Sequence, residues 1–322
     1  MSASTLLVTG GSGFLGSALL KTLASSDRYL LRAALRRESS GLPSSVNVFH
    51  VEGLTSTADW QAPLMGADVV IHAAARVHIM NDRSVDPLAA FRQVNVDGTL
   101  NLARQAAQAG VQRFIYISSV KVNGEFTPPG HPFVADGPAL PVDPYGISKL
   151  EAEQALHELS ASTSMELVII RPVLVYGPGV KANFLNMINW LERGVPMPFG
   201  AVRNKRSLVN LDNLIDLIMT CVIHPAAANQ IFLASDGEDV STTELIRRIG
   251  CALNKPARLI PLPVPLMQLG ANLLGKEALA QRLFSSLQVD ISKNRMLLGW
   301  VPPVSLDQGL MATVHSYLEL RK

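Results

Sequence analysis

The sequence predicts an α/β fold, a doubly wound and mostly parallel sheet with a smaller C-terminal α/β lobe, and three observations predict it. Through about residue 175 strand-length apolar runs alternate with helical segments, the order that favours parallel strands joined by right-handed crossovers. The first strand runs straight into Gly10-Gly11-Ser12-Gly13-Phe14-Leu15-Gly16, a glycine turn that opens a helix. Beyond Tyr176-Gly177-Pro178-Gly179 the alternation breaks, proline and glycine recur, and helices predominate.

The 322 residues suit one large domain with an annex, or two domains. We expect a first domain at 1–175, with 208–235 returning to it, and an interleaved substrate-binding lobe at 176–322. A hydrophobic fraction of 48% with 17% charged residues describes a globular protein with a large core. The net charge is +2 and the densest basic cluster is Arg203, Lys205 and Arg206, which argues against a nucleic-acid surface. Cys221 and Cys251 form neither a disulfide framework nor a metal-ligand spacing, so a reducing compartment and no metal are expected. The N-terminus has no basic n-region and its first apolar run, Leu6 to Val8, is already a strand, so a cytoplasmic location without a secretory signal is expected. Leu259 to Leu274 is apolar but broken by Pro261, Pro263 and Pro265, too short to span a bilayer. It reads as an apolar cap of a substrate pocket, with a peripheral membrane contact as the other reading.

Taken in order, residues 5 to 10 form a strand, and the helix after the turn runs through Leu19, Leu20 and Leu23. Glycines at 10, 13 and 16 permit a sharp turn, let a pyrophosphate approach the backbone at the helix N-terminus, and let helix and strand pack closely. That is a Rossmann-type dinucleotide fingerprint with G-x-x-G-x-x-G spacing, and Ser12, Phe14 and Leu15 ride on it as cofactor contacts. The second strand, Tyr29 to Leu35, ends in Arg36 and Arg37, where an NAD site normally offers a carboxylate to the adenosine ribose. Guanidinium groups suit a 2′-phosphate, so NADP(H) is preferred and NAD(H) is the alternative.

Strands follow at Val46 to His50 and Asp68 to His72, with a short helix between them around Thr57 to Met65. His72 reads as a packed strand-end histidine, and Ala73 and Ala74 leave room for a cofactor backbone. A long helix, Pro87 to Ala109, carries Asn95, either a solvated amide or an orienting group. The strand Arg113 to Ile117 delivers Ser118 and Ser119 to its carboxyl end, where ligands bind in a doubly wound sheet. A loop from Glu125 to Val142 leads to Asp143-Pro144-Tyr145-Gly146-Ile147-Ser148-Lys149, in which Asp143 caps a helix and Pro144 occupies its first position. The four-residue spacing sets the Tyr145 phenol beside the Lys149 ammonium. A free phenol titrates near pH ~10, and moving it by roughly 3 units takes about 4 kcal/mol, which an ammonium, a helix N-terminus and a cationic cofactor ring supply together. A strand at Glu166 to Ile170 ends in Arg171-Pro172, helices follow at Phe184 to Glu192, Leu211 to Ile223 and Thr242 to Leu253, and Gln230 to Ala234 returns to the main sheet.

Gly10, Gly13, Gly16, Ser119 and the Tyr145/Lys149 pair, in this order, resemble the extended short-chain dehydrogenase/reductases, and the likeness covers essentially the whole chain. Asn95-Val96 with Gly98-Thr99, Arg171-Pro172 with Tyr176-Gly177-Pro178, and Arg206 to Asp212 are similar to that family's asparagine segment, hinge and diphosphate arginine. The resemblance implies an enzyme acting on a UDP-sugar, with Ser119, Tyr145, Lys149 and Asn95 catalytic, and Tyr145 and Lys149 also touching the cofactor. Tyr145 is the expected general acid, its pKa held down by Lys149, Ser119 an oxyanion donor, and Asn95 an orienting group for Lys149. Lys121, Asn183, Arg206 and Arg282 are the expected substrate contacts, and a homodimer is implied.

Val120 and Lys121 follow Ser119 where the family's dehydratases carry an Asp-Glu pair, which argues against dehydration. Leu35 and Arg36 stand where a 4-epimerase that retains NAD has an acidic residue. The segments at 118–125 and 179–184 look most like the reductases of bacterial O-antigen synthesis. NADPH-dependent reduction of a UDP-4-keto-6-deoxy-N-acetylhexosamine is therefore the leading expectation, a UDP-hexose 4-epimerase the alternative, and a non-catalytic NADP(H)-binding regulator the third reading.

Overall fold

The computed structural model describes residues 3–26, 28–37, 41–77, 86–275 and 277–321, and for 182, 183, 278, 279 and 282 the backbone only. Seven strands form the main sheet: β1 (Ser4–Thr9), β2 (Tyr29–Leu35), β3 (Val46–His50), β4 (Val69–His72), β5 (Arg113–Ile117), β6 (Glu166–Pro172) and, after two strands of a smaller sheet, β9 (Gln230–Ala234). Their order is β3-β2-β1-β4-β5-β6-β9 and every pairing is parallel. The small sheet sets β8 (Arg206–Asn210) between β7 (Leu174–Tyr176) and β10 (Asp239–Val240). Thus β9 returns to the main sheet as the sequence predicts, and β8 pairs with β7 and β10 in the small sheet.

The central strands β1, β4, β5 and β6 are largely apolar and buried because helices cover both faces, and alternate residues feed two separate cores. Leu6, Val8, Ile71, Ile115, Val168 and Ile170 pack on one face with α1 (Phe14–Ala24), through Leu19, Leu20 and Leu23. Leu7, Val70, Phe114, Tyr116, Leu167 and Ile169 pack on the other, over α2 (Gln61–Leu64), a helical run from α3 (Pro87–Arg92) to α4 (Thr99–Gln108), and α5 (Pro144–Ala161). In the lobe, α6 (Ala182–Glu192) and α8 (Thr242–Ala252) share a third core with α12 (Leu306–Glu319), while α7 (Leu211–Ile223) packs against the main sheet. The remaining helices are α9 (Val264–Leu273), α10 (Glu277–Phe284) and α11 (Ser292–Leu298).

Two helices differ from expectation for reasons visible in their hydrogen bonds. The predicted helix at 57–65 shrinks to Gln61–Leu64, because the Asn101 and Gln105 amides donate to the Thr55 and Ala58 carbonyls and the Trp60 amide donates to Gln105. The backbone before it is thus satisfied from α4. The predicted continuous helix at 87–109 widens into a π-helical turn, Gln93–Gly98, between α3 and α4. Gly98 allows this crowding: a Cβ there would lie 2.6 Å from the Leu54 carbonyl. Such turns gather at functional sites, and this one carries Asn95.

Candidate active site

The strand order reverses between β1 and β4, and the glycine turn sits at that switch point, where open α/β sheets hold their ligands. Gly10 has φ +73, and a Cβ on it would lie 2.8 Å from the Ala74 nitrogen; a Cβ on Gly16 would lie 2.3 Å from the Gly10 oxygen. The cradle therefore closes only with glycine at both places. Gly13 caps α1 without a side-chain hydrogen bond, so no side chain competes with an anion for the first amides of the helix. Ser12 and Gly13 are exposed at this mouth, while Phe14 and Leu15 pack partly into the core. Ala73 and Ala74 line the opposite side, the Ala74 amide donating to Thr9 Oγ1 at 3.3 Å. Arg36 and Arg37 are exposed just past β2, with the Arg36 stem alongside Gly53. The close-packed glycines and the open N-terminus of α1 leave room for a dinucleotide's diphosphate.

Asp143 accepts from the Gly146 amide at 2.7 Å and Pro144 opens α5, so Tyr145 stands in the first turn, as predicted. Ser119 ends the β5 segment, and its hydroxyl hydrogen-bonds Tyr145. Burial pushes the phenol up to about 12, Asp143 adds to the rise, and the Ser119 hydrogen bond opposes it. The ammonium of Lys149 lies 2.7 Å from the Ile117 carbonyl and 3.1 Å from the Tyr116 hydroxyl. Burial lowers Lys149 to about 7, with the Glu153 charge opposing the fall. The ammonium is engaged with the Ile117 carbonyl and the Tyr116 hydroxyl and the phenol rests protonated, so Lys149 does not hold it down alone; the expectation is of an ammonium, a helix N-terminus and a cationic ring acting together. A cationic ring must join the pair before Tyr145 can ionise near neutrality.

Asn95 is fully buried and exchanges two hydrogen bonds with the Arg76 backbone, 2.8 and 3.0 Å, while donating to Ser148 Oγ at 3.0 Å. It ties the segment after β4 to the turn of α5 between Tyr145 and Lys149. His72 is buried between Thr9 and Thr99, at 2.7 and 2.9 Å, and burial lowers it to about 3, a packing role as expected.

Several residues beside the site were not expected. Glu153 lies one turn beyond Lys149 and accepts from Arg171 through both oxygens, at 3.0 and 2.5 Å, and from Ser118. Arg171 also reaches the Asn123 side chain at 3.1 Å. This buried cluster locks β5, α5 and β6 together beneath Ser119, Tyr145 and Lys149. The Tyr-Lys-Glu spacing of four was a legible signal for Glu153, whereas nothing local in the sequence pointed to Arg76, whose guanidinium stacks over Phe91, itself edge-on to Tyr145.

The expected substrate residues fare differently. Lys121 pairs with Asp143 and, at 3.0 Å, with Glu125, so its ammonium braces the α5 cap rather than standing open to a ligand. Arg206 opens β8 and donates to the Ser285 carbonyl at 3.2 Å, beside the end of α10. Asn183 and Arg282 lie on α6 and α10, but their side chains are outside the described residues. The apolar stretch expected to cap a pocket instead turns Leu266, Leu269 and Leu273 outward.

A doubly wound sheet, a glycine cradle at its switch point, and Ser119, Tyr145 and Lys149 beside it define an NAD(P)-dependent enzyme of the extended short-chain dehydrogenase/reductase class. The chain belongs to the NAD dependent epimerase/dehydratase family, whose model matches residues 6–234. It is 46% identical over 319 residues to a UDP-glucose 4-epimerase of Vibrio cholerae, covering 98% of this chain and 96% of that one. A 28% identity over 326 residues, 96% of this chain and 94% of the other, links it to the N-acetyl-alpha-D-glucosaminyl-diphospho-ditrans,octacis-undecaprenol 4-epimerase of Escherichia coli O157:H7. Among solved structures, the UDP-glucuronic acid 4-epimerase of Bacillus cereus in complex with NAD superposes with a TM-score of 0.80 at 23% identity, over 99% of this chain and 100% of that one.

Proposed function

We propose that the protein is a UDP-hexose 4-epimerase that retains its nicotinamide cofactor through turnover, and that NAD(H) is that cofactor. The observation carrying this reading is the 46% identity to a UDP-glucose 4-epimerase along 98% of the chain. It favours epimerisation over the net reduction expected from the sequence. Bound NAD would supply the acceptor, and then the donor, of the C4 hydride. Tyr145 takes the proton of the sugar C4 hydroxyl as the ketone forms and returns it when the hydroxyl re-forms on the other face. Ser119 holds the same oxygen through its hydroxyl. Lys149 places positive charge behind Tyr145, and Asn95 fixes the α5 turn that carries both. Arg206 takes the diphosphate, since a guanidinium fork matches phosphate oxygens. The protein is further proposed to act as a homodimer in the cytoplasm.

Arg36 and Arg37, exposed just past β2, support a second reading, NADPH-dependent reduction of a UDP-4-keto-6-deoxy-N-acetylhexosamine, because guanidinium groups suit a 2′-phosphate. Dissociation constants for NADH and NADPH separate the two. The epimerase reading expects NADH to bind at least as tightly, and a marked preference for NADPH supports the reductase.

A further inference from the structure

We propose that α9, with the proline-rich segment before it, is a peripheral docking surface for an anionic lipid membrane. Leu266, Leu269 and Leu273 follow one another at spacings of three and four, which places them on one face of α9. That face points outward: the three leucines are 60%, 58% and 81% exposed, and no residue of the helix is buried. Amphipathic surface helices turn such a stripe inward, whereas this helix turns it toward solvent. Ile260, Leu262 and Leu274 are also exposed and extend the patch at both ends. Six exposed large apolar residues within fifteen positions of the chain give this segment the apolar exposure that marks an interaction site.

Charge selects the occupant. From Leu245 to Lys276 the chain contains Arg247, Arg248, Lys255, Arg258 and Lys276, and not one Asp or Glu. Arg248 is spent on Glu238, Glu244 and Asp307 and Lys255 donates to the Glu192 carbonyl at 2.9 Å, while Lys255 and Arg258 stay exposed at the start of the apolar segment and the first carboxylate beyond it is Glu277. An exposed leucine face flanked by cations is what an interfacial helix presents to anionic headgroups. A second copy seated here would bring its own cationic flank with it, whereas a lipid surface brings the opposite charge. Among the described residues no helix is long and apolar enough to cross a membrane, so the contact lies on the bilayer and does not span it. The Ser285 carbonyl that receives Arg206 follows α10, which packs against α9, so docking would bring the sugar-binding side of the lobe close to the membrane.

Co-sedimentation of the full chain with phosphatidylglycerol and with phosphatidylcholine vesicles tests this. The protein is expected to pellet with the anionic vesicles, to release as salt rises, and to remain in solution with the neutral ones. L269S/L273S should abolish pelleting, R258E should weaken it, and both variants should keep full activity on a soluble UDP-sugar, a readout that separates this inference from the epimerase reading. No binding to anionic vesicles at low salt, or binding unchanged in L269S/L273S, would overturn the proposal. So would a fall in oligomeric mass of L269S/L273S by light scattering, which would assign the face to a second copy.

Discussion

At Tyr145 two opposed influences meet: burial and Asp143 hold the phenol up at about 12, and the Ser119 hydrogen bond pulls it down. Lys149 directs its ammonium at Ile117 and Tyr116, so the positive charge it places behind Tyr145 does not by itself offset that rise, and a cationic nicotinamide ring would add to it. Binding of NAD should therefore lower the phenol's pKa. Alkaline titration of the phenolate absorbance, with and without NAD, should show one tyrosine moving down, and Tyr145→Phe should remove that change. The same variant should abolish turnover yet bind NAD nearly as tightly as the parent. A variant retaining most activity would take Tyr145 out of the reaction. His72 makes a separate pH prediction. Its imidazole falls from 6.5 to about 3 on burial, with Lys149 contributing, so the unfolded chain binds a proton below pH 6.5 that the folded chain refuses. Its stabilising contribution is thus complete above pH 6.5 and is lost as pH falls toward 3, at up to about 1.4 kcal/mol per pH unit. Chemical denaturation across that window should show a shallower slope in His72→Gln.

Among the elements, α5 does the most, because one face carries Tyr145, Lys149 and Glu153 in successive turns. Glu153 and Arg171 are each almost wholly buried, and removing one partner strands the other's charge. Arg171→Met should cost about 3–5 kcal/mol in denaturant unfolding, and adding Glu153→Met should recover much of it. The glycine turn makes a prediction of a different kind. Gly16→Ala would put a carbon 2.3 Å from the Gly10 oxygen, a backbone atom that cannot swing aside. The turn must open, and cofactor affinity should fall about tenfold or more, or about 1.4 kcal/mol, in a direct binding measurement while the chain stays folded.

For the molecule as a whole, the strand-helix rhythm to residue 175 was legible because parallel strands covered on both faces are plain apolar runs. β9 was legible for the same reason, since Phe232, Leu233 and Ala234 are buried. Boundaries failed where side chains from elsewhere satisfy the backbone, as Asn101 and Gln105 do before α2, and where a helix changes its winding, as it does around Asn95. The helix cap, the glycines and the Tyr145/Lys149 spacing were readable because each depends on neighbours within about one turn. The pairing of Lys121 was not legible for the converse reason: Asp143, its partner, is 22 residues away in sequence. The direction of the Lys149 ammonium, set by the end of β5, was equally out of reach of local spacing.

The central claim is that Tyr145 passes a proton to and from the sugar C4 oxygen while the cofactor is regenerated within one turnover. It is tested most directly by incubating the purified protein with UDP-glucose, without added reductant, and following the sugar by NMR. The account predicts conversion to UDP-galactose with no net change in reduced-nicotinamide absorbance. No interconversion, together with stoichiometric oxidation of NADPH when a UDP-4-keto sugar is supplied, would contradict it.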